Sequence, residues 1–381
     1  MDRFFKAYIR ISQLFWGNYN FIVASSYGIF SISNAKQVTL RMVYQPQRVY
    51  FEKEALNYPL GNHLYREFSQ QKIEIRFTGS HNRVIGIPGK TAQEAYREGK
   101  NTMVVGVRRT LNFETCKPSA HYQLPLVTGC AGMCEYCYLN TNMGKKPYIR
   151  VYVNIEEILQ QVDKYIEERK PEITFFEGAA TSDPLPVEKY TGLLERTINF
   201  FANRTYGRFR FVTKFTEVDN LLAIRHNGHT RWRFSLNAES VIKRYEHRSP
   251  SLQERVKAAA KVAKAGYPLG FIIAPVIVYP GWQQDYREML LLLGNSLAVF
   301  DEAGTDFEII THRYTTRAKN NILEIFPDTS LPMQEEERKF KFGQFGYGKY
   351  VYPPEQMAEI KAFLTAQLNE LFPQAKLSYL V

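Results

Sequence analysis

The stretch Thr128-Gly129-Cys130-Ala131-Gly132-Met133-Cys134-Glu135-Tyr136-Cys137-Tyr138 holds three of the chain's four cysteines. An apolar, β-prone run, Tyr122–Val127, precedes it. The segment therefore reads as the loop after a parallel strand, where α/β folds place their chemistry. Ala131 and Gly132 are small enough for the backbone to wrap closely around a bound object. Three thiolates are one short of what a structural zinc or a closed four-iron cluster needs. The spacing C-x3-C-x2-C thus predicts a [4Fe–4S] cluster on Cys130, Cys134 and Cys137, with one iron open to a further ligand. Cys116 lies well upstream, across the strand, and is not an obvious fourth ligand. The residues by themselves also admit a zinc completed by a histidine, or unliganded thiols. So few cysteines in 381 residues make no disulfide framework and point to a reducing compartment.

Beyond this loop a rhythm of strands and helices sets in. Strands are expected at Tyr122–Val127, Ile173–Ala179, Arg208–Phe215, Arg231–Asn237, Leu269–Val278 and Asp306–Thr311. Helices are expected between them at Ile155–Arg169, Val187–Asn203, Val218–His226, Ser251–Ala265 and Trp282–Leu297, with a last one at Glu355–Leu371. Ser251 with Glu254 forms a capping-box pattern, and Gly266 is a usual stop. The pattern predicts an α/β fold, a partial (β/α)6 TIM-like barrel of parallel strands with N-terminal and C-terminal additions. A doubly wound sheet has the same pattern. The expected division is 42–120 as an N-terminal region packing on the barrel, 121–320 as the barrel, and 321–381 as a basic, aromatic hairpin with a helix.

Composition excludes a disordered tail, a collagen-like fibre and a cysteine-rich secreted module. Lys plus Arg number 49 against 38 for Asp plus Glu, a formal charge of +11, which favours an anionic partner. The 25 Tyr and 26 Phe suit a core and also the stacking of bases. Ile11 to Ala35 carries no charge, yet Ser, Asn, Gln and Gly interrupt it too often for a membrane span or a signal peptide. Residues 1–41 read as a non-family extension, with Met42 as the expected physiological start; a genuine N-terminal arm is the alternative.

The cysteine spacing, with aromatic Tyr136 just before Cys137, resembles the radical S-adenosylmethionine enzymes. The resemblance is closer to one of their families, spore photoproduct lyase, and runs from about Val49 to the C-terminus. It rests on Tyr58-Pro59-Leu60-Gly61, Ser80-His81-Asn82, Val104-Val105-Gly106-Val107-Arg108, Lys117-Pro118-Ser119-Ala120 and Gly144-Lys145-Lys146-Pro147-Tyr148-Ile149-Arg150. It continues in Thr181-Ser182-Asp183-Pro184, Arg225-His226-Asn227-Gly228, Ala265-Gly266-Tyr267-Pro268-Leu269-Gly270-Phe271 and Gly346-Tyr347-Gly348-Lys349-Tyr350.

The resemblance implies a DNA repair lyase that returns spore photoproduct to two thymines by 5′-deoxyadenosyl radical chemistry. Its cofactors are a [4Fe–4S] cluster and S-adenosyl-L-methionine. Ser182, Asp183, Lys214 and Ser235 are expected to meet the cofactor, each at a strand's end. Asp183 could equally start a turn with Pro184, and Lys214 could reach solvent. Tyr136 and Tyr138 are expected on the path that returns the radical. Where the family often has a hydrogen-donating cysteine, this chain has Ala180, so Cys116 is the expected replacement donor. Basic and aromatic residues suggest DNA contacts at Arg313, Arg317, Lys319, Arg338, Lys341, Tyr347 and Lys349; a solvated charged edge has the same composition. The implied partners are ultraviolet-damaged double-stranded DNA and an electron donor such as a flavodoxin or ferredoxin, with no membrane. The implied compartment is the cytoplasm, or the spore core in a sporulating organism. Two other readings remain: a lyase-like enzyme acting on another nucleic-acid substrate, and a non-catalytic iron–sulfur protein that binds DNA.

Overall fold

The structure is a computed structural model and describes residues 21–25, 28–32, 44–297, 304–342 and 348–381. Two units separate, Met1–Met42 and Val43–Val381. In the first, Phe21–Ser25 pairs antiparallel with Gly28–Ile32. The rest of the expected extension, Met42 included, lies outside the described residues.

The second unit carries the expected half-barrel. Its strands are β1 (Ala120–Gln123), β2 (Thr174–Glu177), β3 (Gly207–Thr213), β4 (Thr230–Leu236), β5 (Leu269–Val276), β6 (Asp306–Thr311) and β7 (Lys376–Leu380). Each pairs in parallel with the next. Thr115–Cys116 lines the outer edge of β1 antiparallel, and β7 forms the other edge. Parallel strands must be covered by helices, and the two faces differ accordingly. Phe176, Phe209, Phe211 and Trp232 are buried on the helix side. Their rings form a row with Tyr122 and Phe201, with centroids 4.5–5.7 Å apart. Burying each such side chain contributes roughly 1.5–3 kcal/mol, so much of the aromatic content is core. The opposite face, lining the bore, carries Glu177, Arg210, Arg233 and Glu308, all buried or nearly so. Gly270 sits among them because a Cβ there would overlap Asp306 Oδ1.

A second sheet lies in the same unit, in the order Glu74–Thr78, Arg48–Glu52, Thr102–Gly106, Ile149–Tyr152, Val127–Thr128. It draws strands from both sides of residue 120. Its first four strands are parallel, and Val127–Thr128 joins antiparallel.

Four expectations need correction. The run Tyr122–Val127 is not one strand. Pro125 has no N–H to donate, so the chain leaves β1 at Gln123 and enters the other sheet at Val127. Val187–Asn203 is two helices, Leu185–Thr191 and Leu193–Ala202, separated by Gly192 at φ +58. The buried Glu188 carboxylate accepts from Leu194 N (2.7 Å) and Glu195 N (2.9 Å) at the second start. Val218–His226 holds only a 3-10 turn, Asp219–Leu221; the run is short, and Asp219 and Asn220 compete for the backbone. Finally, Lys376–Leu380 adds a seventh strand to the expected six. Ile155–Arg169, Trp282–Leu297 and Asp306–Thr311 have the expected bounds, and the Ser251–Glu254 capping box is formed. Among the described residues no helix is long and apolar enough to cross a membrane.

Candidate active site

The cysteine loop leaves the end of the first sheet-to-sheet passage and is fixed from two sides. Gly129 N donates to Thr181 O (2.9 Å), and Gly129 forms a parallel bridge with Ser182. Met133–Cys134 pairs antiparallel with Glu246–His247. Gly129 has φ +94, and a Cβ there would lie 2.6 Å from Tyr148 O, so only glycine fits this turn. Cys134 is buried; Cys130 and Cys137 are partly so. Gly132 N donates to Cys130 Sγ at 3.3 Å, and Lys214 Nζ lies 3.6 Å from Cys134 Sγ. Burial pushes the Cys134 thiol up to about 11, against the opposing pull of Lys214.

Among the described residues, no group of three or more His, Cys, Asp or Glu is drawn together so as to hold a metal ion. A four-iron cluster binds each thiolate on a different iron, and hydrogen bonds to its sulfurs tune it. Three electrostatically coupled thiols, two of them within 4 Å of where a Gly132 Cβ would stand, with donors to two sulfurs, fit that group.

Lys214 directly follows β3 and is held tightly. Its ammonium faces Glu246 (2.9 Å), Tyr136 Oη (2.7 Å) and Cys134 Sγ. Burial opposes the charge on Glu246, but Arg255 and Lys214 win and hold its carboxyl at about 2. Arg255, fully buried, donates to Glu246 at 2.5 Å. Tyr136 also donates to Glu246. An anionic ligand at the thiols therefore competes with Glu246 for the Lys214 ammonium. Glu246, Arg255 and Lys100 escaped the sequence reading. Lys100 is buried, with Nζ 3.0 Å from Cys130 O, and nothing in its local sequence signals this.

Asp183 does more than begin a turn. Its Oδ2 accepts from Thr213 Oγ1 (3.0 Å) and Lys214 N (2.9 Å), and its Oδ1 from Leu185 N (3.3 Å). Burial pushes the carboxyl up to about 7. A carboxylate offers about four acceptor positions, so roughly one stays open while the others pin the end of β3. Ser182 is buried in the loop that follows β2, and Ser235 is buried in the last part of β4.

Cys116 is half-buried on the short edge strand. Ser119 N donates to Cys116 O (2.9 Å), and Ser119 Oγ accepts from Arg210 (2.5 Å) and Arg233 (3.3 Å) of the bore. Tyr138 lies within electrostatic reach of Cys116, Cys130 and Cys137, and its hydroxyl donates to Ala180 O. Cys116, Cys130 and Cys137 thus all lie within electrostatic reach of the Tyr138 hydroxyl, which rests on Ala180 O.

The expected DNA residues divide. Lys339–Phe342 and Gly348–Val351 form a hairpin, as anticipated, with Lys341 paired across from Lys349. Phe342 is 75% exposed. Tyr314 and Tyr350 bridge the hairpin to the end of β6 and stack at 5.3 Å. Lys349 lies within electrostatic reach of Arg313 and Lys341, so like charges gather there. Arg317 is exposed. Arg338 is engaged internally, donating to His312 O and Pro332 O (both 2.9 Å) and lying 3.8 Å over the Tyr352 ring. Lys319 pairs with Glu335 at 2.9 Å. Tyr347 lies outside the described residues.

The model of the family described as spore photoproduct lyase matches residues 44–381. A spore photoproduct lyase of Clostridium acetobutylicum is 53% identical over 335 residues, covering 88% of this chain and 98% of the relative. One from Bacillus subtilis is 48% identical over 336 residues with the same coverage. Among solved structures, a variant spore photoproduct lyase with bound AdoMet and dinucleoside spore photoproduct superposes with a TM-score of 0.87 at 50% identity. It is covered fully, with 89% of this chain. A spore photoproduct lyase complexed with dinucleoside spore photoproduct gives a TM-score of 0.87 at 49% identity. The chain belongs to the spore photoproduct lyase family.

Proposed function

We propose that this protein is a radical S-adenosylmethionine lyase that reverts spore photoproduct in DNA to two thymines. The observation that carries the reading is the cysteine loop: Lys214 reaches Cys134 Sγ and is pinned through its backbone by Asp183, and Tyr138 lies within electrostatic reach of Cys116, Cys130 and Cys137. Cys130, Cys134 and Cys137 hold the cluster, and Ser182, Asp183, Lys214 and Ser235 receive S-adenosylmethionine. When bound, this pair supplies the 5′-deoxyadenosyl radical that takes the hydrogen from lesion carbon C6.

The chain's own residues do the rest. Asp183 fixes the end of β3 and so aims Lys214. The bond between the thymines breaks by β-scission and leaves a thymine-centred radical. Cys116 quenches it: the S–H bond breaks, a C–H bond forms, and a thiyl stays on sulfur. Tyr136 and Tyr138 lie on the path by which that radical returns. Ala180 carries only C–H bonds, with no weaker S–H hydrogen to give, which is why the thiol on the neighbouring hairpin matters. The exposed Phe342 and the cations Arg313, Arg317, Lys341 and Lys349 hold the damaged strand, with Arg338 and Lys319 bracing the segments that carry them. Extruding the damaged bases costs a few kcal/mol, less at a lesion. An electron donor of the flavodoxin or ferredoxin type supplies the reducing electron.

The test is an anaerobic assay on lesion-bearing DNA with reconstituted cluster, reductant and S-adenosylmethionine, read for thymine and 5′-deoxyadenosine. Both products are expected. In Cys116→Ala, restored thymine should fall by about tenfold or more while 5′-deoxyadenosine is still formed. Clean repair by that variant removes Cys116 as the donor. Absence of 5′-deoxyadenosine from the unmodified protein removes the radical reading.

A further inference from the structure

Three of the sequence stretches that carry the family resemblance supply no side chain to the site above: Ser80-His81-Asn82, Val104–Arg108 and Gly144–Arg150. They are far apart in the chain, yet their polar ends meet. A cavity of about 180 Å³ between the second sheet and the end of β2 is lined by Asn82, Arg108 and Arg150 on one side and by Ala180 and Ser182 on the other. Glu114, exposed, is its one lining carboxylate, so two guanidiniums outweigh it.

Both arginines are built in rather than loose. Arg150 Nε donates to His81 O at 3.1 Å, and its guanidinium lies 4.8 Å over the Tyr148 ring. His81 is itself buried and fixed by Glu52, through its N–H (2.8 Å) and its Nδ1 (3.0 Å). Glu52 also accepts from Val107 N at 3.0 Å. Gly106 permits this crowding, since a Cβ there would lie 2.7 Å from His81 Cβ. Arg108 is clamped by its backbone: N donates to Asn154 Oδ1 (2.8 Å), and its O accepts from Asn154 Nδ2 (2.9 Å). Its Nε donates to Thr110 O, and its guanidinium lies 5.6 Å from the Tyr152 ring centre. Among the described residues these arginines are satisfied by carbonyls and ring faces, not by carboxylates. A guanidinium fork held this way is ready for a phosphate, which it binds with charge-assisted, bidentate hydrogen bonds.

We infer that this cavity is a phosphate subsite, which takes a backbone phosphate of the damaged strand next to the lesion. The inference rests on the proposed repair of DNA, because it names where that substrate's backbone enters the mouth. It also accounts for the cavity's position against Ala180 and Ser182, where the proposed cofactor contacts begin. A dinucleoside lesion has no phosphate, so it leaves the subsite without its ligand.

The experiment compares the unmodified protein with Arg108→Gln/Arg150→Gln, and with the doubly lysine-substituted form. Each is given a lesion-bearing duplex, and the dinucleoside lesion, which lacks the phosphate. For the glutamine form the loss of affinity for the duplex should exceed any loss on the dinucleoside by about tenfold, and the slope of log affinity against log salt should become shallower by about 0.9. The lysine form keeps the charge and should retain most of the slope, which guards against a glutamine form that fails to fold. Equal effects on both substrates, or an unchanged salt slope in a folded glutamine form, overturn the subsite. Repair by the unmodified protein tests the underlying reading separately. If repair fails while the salt slope still drops, the reading falls and the phosphate site stands.

Discussion

The bore of the half-barrel and the cavity beside β2 each hold two arginines, yet they are opposite in kind. In the bore, Arg233 donates to Glu308 at 2.8 Å and also pairs with Glu177, while Arg210 pairs with the same two carboxylates. Beside β2, Arg108 and Arg150 have carbonyls and aromatic faces instead. A guanidinium with buried carboxylate partners is committed to the fold. One satisfied by neutral groups keeps its charge for a ligand. The difference lies in partner chemistry, since all four arginines lie in or just after strands.

The most severe way to break the comparison is to remove a carboxylate from the bore. Burial opposes the charge on Glu308, but Arg233 and Arg210 hold its carboxyl below the usual range, and Tyr379 adds a hydrogen bond at 2.9 Å. Glu308→Ala leaves two buried guanidiniums sharing Glu177. The expected loss is about 3–5 kcal/mol in denaturant unfolding, because an uncompensated buried charge costs more than the pair contributes. The Cys116 hairpin should loosen with it, since Ser119 Oγ is held by both arginines. An unchanged unfolding midpoint would mean the bore cluster does not hold the fold.

The same contrast explains what could be read from the sequence. Helix Ile155–Arg169 and strand Asp306–Thr311 were legible because apolar period and chain punctuation agree there. The cysteine loop stood out because its three thiols lie within eight residues. Lys100, Glu246 and Arg255 were not, because each reaches the site from an element whose local pattern says only helix end or strand. The pairing of Arg210 and Arg233 was equally hidden: period two places them on one face, but not opposite Glu177 and Glu308. The seventh strand, Lys376–Leu380, is too short to announce itself without its neighbour β6.

An intermediate case sharpens the comparison by pH. Arg338 faces a neutral base, His312, with Nη2 and Nδ1 3.3 Å apart. Burial first, and then the Arg338 charge, lower the His312 pKa from 6.5 to about 3. The Tyr314 ring, 5.7 Å away, adds no compensating charge. The unfolded chain therefore takes up this proton more readily than the folded one. Stability from this group is intact above pH 6.5 and is lost as pH falls toward 3. Between pH 6.5 and 4.5 the expected loss is about 2–3 kcal/mol. His312→Gln should flatten that limb of the stability curve relative to the unmodified protein. A parallel curve would mean His312 is protonated in the folded state.

The smallest effect belongs to a pair with ideal geometry in the wrong place. Arg204 binds Asp163 through two bonds, Nε–Oδ1 at 2.6 Å and Nη2–Oδ2 at 2.9 Å, and its guanidinium lies 4.0 Å from the Phe200 ring. The side chains are 32% and 42% exposed, so water screens the charges that the bore concentrates. Asp163→Asn should cost only about 0.5–1 kcal/mol, and 1 M salt should shrink the difference further. Thermal unfolding at low and high salt reads both. A loss as large as that of Glu308→Ala would show that bond geometry, not burial of the partners, separates committed arginines from available ones, and the contrast between bore and cavity would then need a different cause.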